Sequence, residues 1–293
     1  MLLLTGATGT VGSALLAKLT ARGGAVRCLV RSPRRLGDQR VHVQIALGDL
    51  AEPQSFRHAL RGVDTVVHLA ASTRDQPAAS IEELNGLATW RLVHAAKRAG
   101  VRRFVLFSAL GASSRHAARF FRAKALAERA VAESTLPYAI FAPSIIYAPG
   151  DPWLTLLDRL SLLPVMVLPG AGRALFQPIW AQDAAAAVLA ALQRDGGDAA
   201  ERIELAGPDT LSHQAMVALA LRSFGRSRPL VPVPQPLVRR ALNAVELAAG
   251  PTAFATAEEA ELMDVSMTTP RGAADAEALG VRPSAMAEVL GVR

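Results

Sequence analysis

The chain has 293 residues, 51% of them hydrophobic and 19% charged, with a net charge of +7; that is enough apolar chain to bury a substantial core and excludes an intrinsically disordered protein. The single cysteine, Cys28, excludes an intrachain disulfide framework, and its place in an apolar run marks a buried thiol suited to a reducing, cytoplasmic setting. Positive charge is mostly dispersed and aromatic residues make up only 5% of the chain, which argues against a nucleic-acid partner.

In chain order, an apolar strand near Leu2–Leu4 is too short for a secretory leader and runs into Thr5-Gly6-Ala7-Thr8-Gly9-Thr10-Val11-Gly12. A helix near Val11–Ala21 and a second strand at Ala25–Val30 follow, which is the setting of a dinucleotide pyrophosphate. Gly6 allows the tight turn, Gly9 lets backbone N–H groups reach the phosphates with no Cβ in the way, and Gly12 lets the helix pack on the strand. The helix N-terminus adds partial positive charge. After the second strand stands an arginine group, Arg31, Arg34, Arg35 and Arg40. The acidic residue that would hold both ribose hydroxyls of NAD(H) is missing there, and guanidinium groups suit a ribose phosphate. The cofactor expected is therefore NADP(H) in preference to NAD(H), with Arg31 the principal contact and Arg34 or Arg35 secondary; a solvated arginine loop is the alternative.

Further strands are expected near His42–Leu47, Thr65–Leu69, Phe104–Phe107 and Tyr138–Phe141. They alternate with helices near Pro53–Leu60, Ser80–Ala99 and Ala117–Glu133. This alternation predicts an α/β fold, a Rossmann-like doubly wound parallel sheet with a small C-terminal substrate lobe, and places the cofactor where strand order reverses. Residues 1–150 should form the dinucleotide-binding core. Past Pro149-Gly150-Asp151-Pro152, residues 151–293 should form mainly a substrate or partner lobe, with 179–206 returning to the core through a helix at Ala184–Leu192 and a strand at Arg202–Leu205. Leucine-rich Trp153–Leu168 is expected to cover the pocket. Leu154–Leu168 contains Asp158 and Arg159, and Leu237–Ala249 contains Arg239, Arg240 and Glu246, so no transmembrane segment is expected. The second stretch is basic and amphipathic, which leaves peripheral membrane or large-complex association open beside simple packing on its own domain. No metal site is expected.

With these residues in view, nearly the whole chain resembles the extended and atypical branch of the short-chain dehydrogenase/reductase family. Thr5–Gly12 looks like its nucleotide turn. Gly48-Asp49-Leu50 resembles its adenine-contacting segment, and His68-Leu69-Ala70-Ala71 the strand end beside the adenine ribose. Asn85 with Thr89 resembles its Asn-bearing central helix. Ser108 matches the active-site serine and Lys124 the lysine of the Tyr-x-x-x-Lys pair. Pro143-Ser144-Ile145-Ile146-Tyr147 and Phe176-Gln177-Pro178-Ile179-Trp180 with Asp183 look most like the subgroup of the NAD(P)H-binding accessory subunit of respiratory complex I. By this resemblance Pro143 and Ile145 join the cofactor contacts.

Two positions depart from the pattern: Phe120 stands where the family has its tyrosine, and Ala142 where the subgroup has arginine. Phenylalanine cannot donate a proton, and a positioned acid is worth about 10²–10⁴-fold in rate. Two residues are candidate substitutes. Lys124 could donate directly or through water, or only hold the nicotinamide ribose hydroxyls. His116, placed one turn before Phe120 on the expected helix, could donate or be a surface residue at the helix start. Ser108 could orient a carbonyl or simply end its strand, and Tyr147 could reach the substrate or pack. The expected activity is reduction of a small apolar carbonyl, enone or quinone-like molecule. The alternatives are a non-catalytic NADPH-holding accessory subunit or redox sensor, and, disfavoured by Phe120, a nucleotide-sugar epimerase or dehydratase.

Overall fold

The structure is a computed structural model that describes residues 1–77, 79–194 and 200–292; residues 195–199 of the return segment 179–206 lie outside the described residues. Strands β1 (Leu2–Thr5), β2 (Val26–Val30), β3 (Gln44–Leu47), β4 (Thr65–His68), β5 (Arg103–Phe107) and β6 (Tyr138–Pro143) come from the first half. Short strands β7 (Ile146–Tyr147), β8 (Met166–Pro169), β9 (Leu175–Phe176) and β10 (Ile179–Trp180) follow, then β11 (Glu201–Leu205), β12 (Leu211–Ser212) and β13 (Leu230–Val233). A seven-stranded sheet runs in the order β11-β6-β5-β4-β1-β2-β3 with every pair parallel.

A parallel sheet covered on both faces needs apolar side chains at successive positions, because neighbours point to opposite faces. The strands supply them. Leu3, Val66, Phe104 and Leu106 face one layer with Phe56, Leu92 and Val131, while Leu4, Val67, Val105 and Phe107 face the other with Leu15, Ala184 and Val188. The helices are α1 (Thr10–Ala21), α2 (Pro53–Phe56), α3 (Ala88–Arg98), α4 (Arg119–Ala132), α5 (Pro152–Leu160), α6 (Ala181–Gln193), α7 (His213–Ser223), α8 (Gln235–Ala249) and α9 (Ala257–Leu262), with two short ones, α10 (Ala274–Ala278) and α11 (Met286–Val289), near the end of the chain. The sheet is thus doubly wound, as the alternation of elements implies.

Several elements differ from expectation for local reasons. The helix expected from Ser80 enters α3 through a π turn at Glu83–Leu87, where the Asn85 side chain donates to Ile81 O and competes with the regular ladder. α4 starts at Arg119 rather than Ala117, because Ala118 is extended and its N–H donates to His116 Nδ1. Trp153–Leu168 divides into α5, capped by the Asp151 carboxylate on Leu154 N–H, and β8. Its inward residues Leu154, Leu157, Met166 and Leu168 join Phe176, Met216 and Leu221 in a separate apolar cluster. That cluster is framed by the two-stranded pairs β8–β13, β7–β10 and β9–β12. No helix among the described residues is long and apolar enough to cross a membrane.

Candidate cofactor cleft and the buried Lys124 centre

Strand order reverses between β1 and β4, and there a cleft of about 800 Å³ opens at the carboxyl ends of the sheet. Gly6, Thr8, Gly9, Arg31, Arg35, Asp49, Leu50, Leu69, Ala70 and Ala71 line it. Thr10, Val11, Gly12, Arg34, Ser108, Lys124, Pro143 and Ile145 lie outside that lining. The three glycines of the turn differ in what demands them. Gly6 has φ +73°, and a Cβ there would come within 2.5 Å of Ala70 N. A Cβ on Gly12 would overlap Gly6 O, so this residue closes α1 onto the turn. A Cβ on Gly9 would meet only Gly6 O, at 3.4 Å. Protein packing does not require glycine at position 9, whereas close approach of a phosphate would. The amides of Thr10, Val11 and Gly12 precede the first helical hydrogen bond, Ser13 N–H to Gly9 O at 2.9 Å, and so remain available as anion donors at the positive end of α1.

Two further edges shape the cleft. Asp49 is held by its own N–H donating to Ser55 Oγ at 2.8 Å and by Oδ1 accepting from Ala51 N–H at 3.0 Å, which leaves its other oxygen for a ligand amino group. Arg31 and Arg35 border the cleft near Asp49, where β2, the neighbour of β3, gives way to a 3-10 turn at Pro33–Val41. Arg34, between them in sequence, is exposed and does not line the cleft.

Beneath the cleft runs a buried polar chain. Thr5 Oγ1 lies 2.6 Å from His68 Nδ1, and His68 Nε2 lies 2.9 Å from Thr89 Oγ1, which donates to Asn85 O at 2.6 Å. Because the Thr89 hydroxyl proton is committed to Asn85, Nε2 must be the donor and Nδ1 accepts from Thr5. Burial, reinforced by the positive charge of Lys124, pushes His68 down to about 3, so the ring is neutral. The Asn85 side chain donates to Ser72 O at 2.8 Å and accepts from Ser72 N–H at 3.1 Å, clamping the loop that lines the cleft after β4.

At the end of β5, Lys124 is buried and donates to Phe107 O at 2.7 Å. Burial lowers its pKa to about 8, against the opposing pull of Glu128. The next residue, Ser108, is also buried, and its Oγ has no hydrogen-bond partner among the described residues. The Phe120 ring centroid lies 5.6 Å from Lys124 Nζ, a cation–π distance. His116 lies in the turn before α4 rather than on the helix: its Nδ1 accepts from Ala118 N–H at 3.0 Å, and its ring packs 4.5 Å from that of Phe121. A proton on Nδ1 would break that contact, which makes His116 a helix-start residue in this geometry. Tyr147 is buried, and burial, then the charges of Asp183, Asp209 and Glu288, raise its pKa. The carboxylates it feels are those of the second half of the chain.

Sequence reasoning missed the ion network beside this centre. Arg119 reaches Asp75 at 2.9 Å, Glu82 at 2.7 Å and Glu258 at 3.4 Å. Arg74 reaches Glu259 at 2.6 Å and donates to Ala253 O at 2.9 Å. Together they tie the loop after β4 to α9. The only signal in the sequence was arginine immediately before Phe120; its partners are too distant in the chain to be read from spacing.

Comparison with known proteins places the cleft in context. A family described as NAD(P)H-binding matches residues 6–152, just over half of the chain. The chain is 29% identical over 246 residues to the mitochondrial NADH dehydrogenase [ubiquinone] 1 alpha subcomplex subunit 9 of Arabidopsis thaliana; this covers 80% of the chain and 60% of the plant protein, so the chain spans less than two thirds of that relative. It is 30% identical over 232 residues to the (4-alkanoyl-5-oxo-2,5-dihydrofuran-3-yl)methyl phosphate reductase of Streptomyces griseus, covering 77% of the chain and 74% of that enzyme. In fold it resembles an NADPH-dependent quinone oxidoreductase from Escherichia coli complexed with NADPH, with a TM-score of 0.77, 18% identity and 99% of each chain covered.

Proposed function

The chain belongs to the NAD(P)H-binding, atypical short-chain dehydrogenase/reductase family, and from that premise we propose that it is an NADPH-dependent reductase of a small, largely apolar carbonyl, enone or quinone-like acceptor. The observation that carries this reading is the buried Lys124 amine, held on Phe107 O next to the unpaired hydroxyl of Ser108. A buried amine held in place and a buried hydroxyl still free to donate suit an acceptor oxygen on which negative charge develops. NADPH, when bound, supplies the hydride. The Gly6–Gly9 turn and the α1 amides suit its diphosphate, Asp49 its adenine, and Arg31 with Arg35 a ribose phosphate, which supports NADPH over NADH.

Phe120 decides among acceptors. Hydride addition to an isolated carbonyl leaves a localised alkoxide that needs a proton at once, and no hydroxyl stands at position 120 to give it. Addition to an enone or quinone leaves a delocalised anion that Lys124 and Ser108 stabilise by hydrogen bonding, while its proton comes from water. We therefore favour enones and quinones over simple aldehydes and ketones. Phe120 also favours a second reading, a subunit that holds NADPH without turnover. Steady-state NADPH oxidation against a panel of quinones, enones and aldehydes separates the two. The reductase reading expects turnover with the first two classes, a fall of about 10²-fold in kcat for Lys124→Met, and gain of aldehyde reduction in Phe120→Tyr. Binding of NADPH with no oxidation of any acceptor, in the wild type and in Phe120→Tyr alike, overturns it in favour of the holding role.

A further inference from the structure

Charge is unevenly divided along the second half of the chain. Segments 159–182 and 210–245 contain seven arginines and no lysine, aspartate or glutamate, so together they carry a charge equal to the whole chain's net +7. The structure brings these segments together. β8 and β13 pair in parallel with Val167 opposite Val231, and Arg228 Nε donates to Ser161 O at 2.9 Å and Leu163 O at 3.0 Å. Arg226 is bound to Asp158, the carboxylate at one margin of this region, and Asp209 stands at another beside the recess described below.

The same surface is apolar where a folded chain has reason to be polar. Met166 and Leu168 turn inward to the core, whereas Val167 is 50% exposed and its cross-strand neighbour Val231 40%. In the preceding turn Leu162 is 69% exposed and Leu163 53%. α8 follows β13 directly and buries only Val238, leaving Leu237, Arg239 and Arg240 exposed. Beside the strip, Arg222, Arg226 and Arg228 border a recess of about 710 Å³ whose walls include Leu219 and Leu230.

From this juxtaposition of outward leucines and valines with an arginine-rich field, which Asp158, Asp209 and Asp264 border without filling, we infer that this face docks on the surface of a bilayer containing acidic phospholipids. Apolar side chains enter the headgroup boundary while guanidiniums meet lipid phosphates. A second copy of the chain fits poorly, because a two-fold interface would set this arginine field against itself. The inference does not depend on the reading of the cofactor cleft, which is built from other residues; if both hold, apolar acceptors reach the protein from the membrane.

The full chain is to be sedimented with vesicles of phosphatidylcholine alone and of phosphatidylcholine mixed with phosphatidylglycerol, over a range of salt, with its mass in solution measured in parallel. The expected result is binding to the mixed vesicles, weakened by salt, and little to the neutral ones. At about 1 kcal/mol for each basic residue near the surface, Arg239→Ser with Arg240→Ser lowers partitioning roughly 30-fold. Leu162→Ser with Leu163→Ser lowers it at least about tenfold. Retention of the parent circular-dichroism spectrum and NADPH titration in both variants separates lost docking from lost folding. Binding to neither vesicle, binding unchanged in both variants, or a stable dimer broken by the leucine changes overturns the inference. So does capture of an acidic protein by a chain with no vesicle affinity.

Discussion

Gly9 and Gly12 are the same residue three positions apart, yet their surroundings give them opposite duties. A methyl group at 12 collides with Gly6 O and lies 2.9 Å from Ala7 Cα, while at 9 it meets one oxygen at ordinary range. Gly12→Ala should therefore destabilise the fold by about 3 kcal/mol through overpacking. Gly9→Ala should unfold at nearly the parent urea midpoint but bind NADPH at least about tenfold more weakly, because its methyl occupies phosphate space. Parallel urea unfolding and cofactor titration check both; equal affinity in Gly9→Ala and the parent would remove the phosphate role. The turn itself was legible in the sequence because it is local, with strand, glycines and helix inside one short stretch. Which of Arg34 and Arg35 lines the cleft was not, since it depends on how the 3-10 turn places its side chains. The His116 reading required it to sit on α4, and the helix begins three residues later.

Whole elements show the same division between local and distant determinants. The inner strands β1, β4, β5 and β6 were readable because burial on both faces makes each a nearly continuous apolar run, and the helices from their periodicity. The π turn at Glu83–Leu87 was not readable, because it depends on Asn85 reaching the loop at Ser72, thirteen residues earlier. The junction between that loop and α9 was hidden for the same reason. Arg119 binds three carboxylates from separate segments, so each of its hydrogen bonds with Glu82 and Asp75 holds its pKa above the usual arginine range and strengthens the tie. Replacing it with methionine keeps the stem but releases all three. Amide hydrogen exchange should then accelerate at residues 72–77 and 257–262 while β1, β4 and β5 stay protected. The stability loss should be only about 1 kcal/mol, because the partners are partly solvated. Exchange unchanged in both segments would show that other contacts hold α9 in place.

At the scale of the molecule, two neutral histidines tie stability to pH. Burial pushes His68 down to about 3 and His213 down to about 4, whereas in the unfolded chain each titrates near its usual value of about 6.5. The unfolded state therefore binds more protons below that value, so stability present above it is lost as pH falls towards the folded values. Urea unfolding should give a free energy roughly 4 kcal/mol lower at pH 5 than at pH 7.5, and His213→Leu should remove about half of that difference. A pH-independent free energy would mean that both rings take up a proton in the folded state as readily as in the unfolded one. The seven-stranded sheet, the chemistry at Lys124 and the arginines at the cleft edge meet in one claim, that the switch-point cleft holds a phosphorylated pyridine dinucleotide. Calorimetric titration of the intact chain with NADPH and with NADH tests it most directly. The account predicts saturable heat with NADPH, weaker binding of NADH, and a selective loss of NADPH affinity when Arg31 and Arg35 are changed to serine; no heat with either nucleotide, or NADH binding as tight as NADPH, would contradict it.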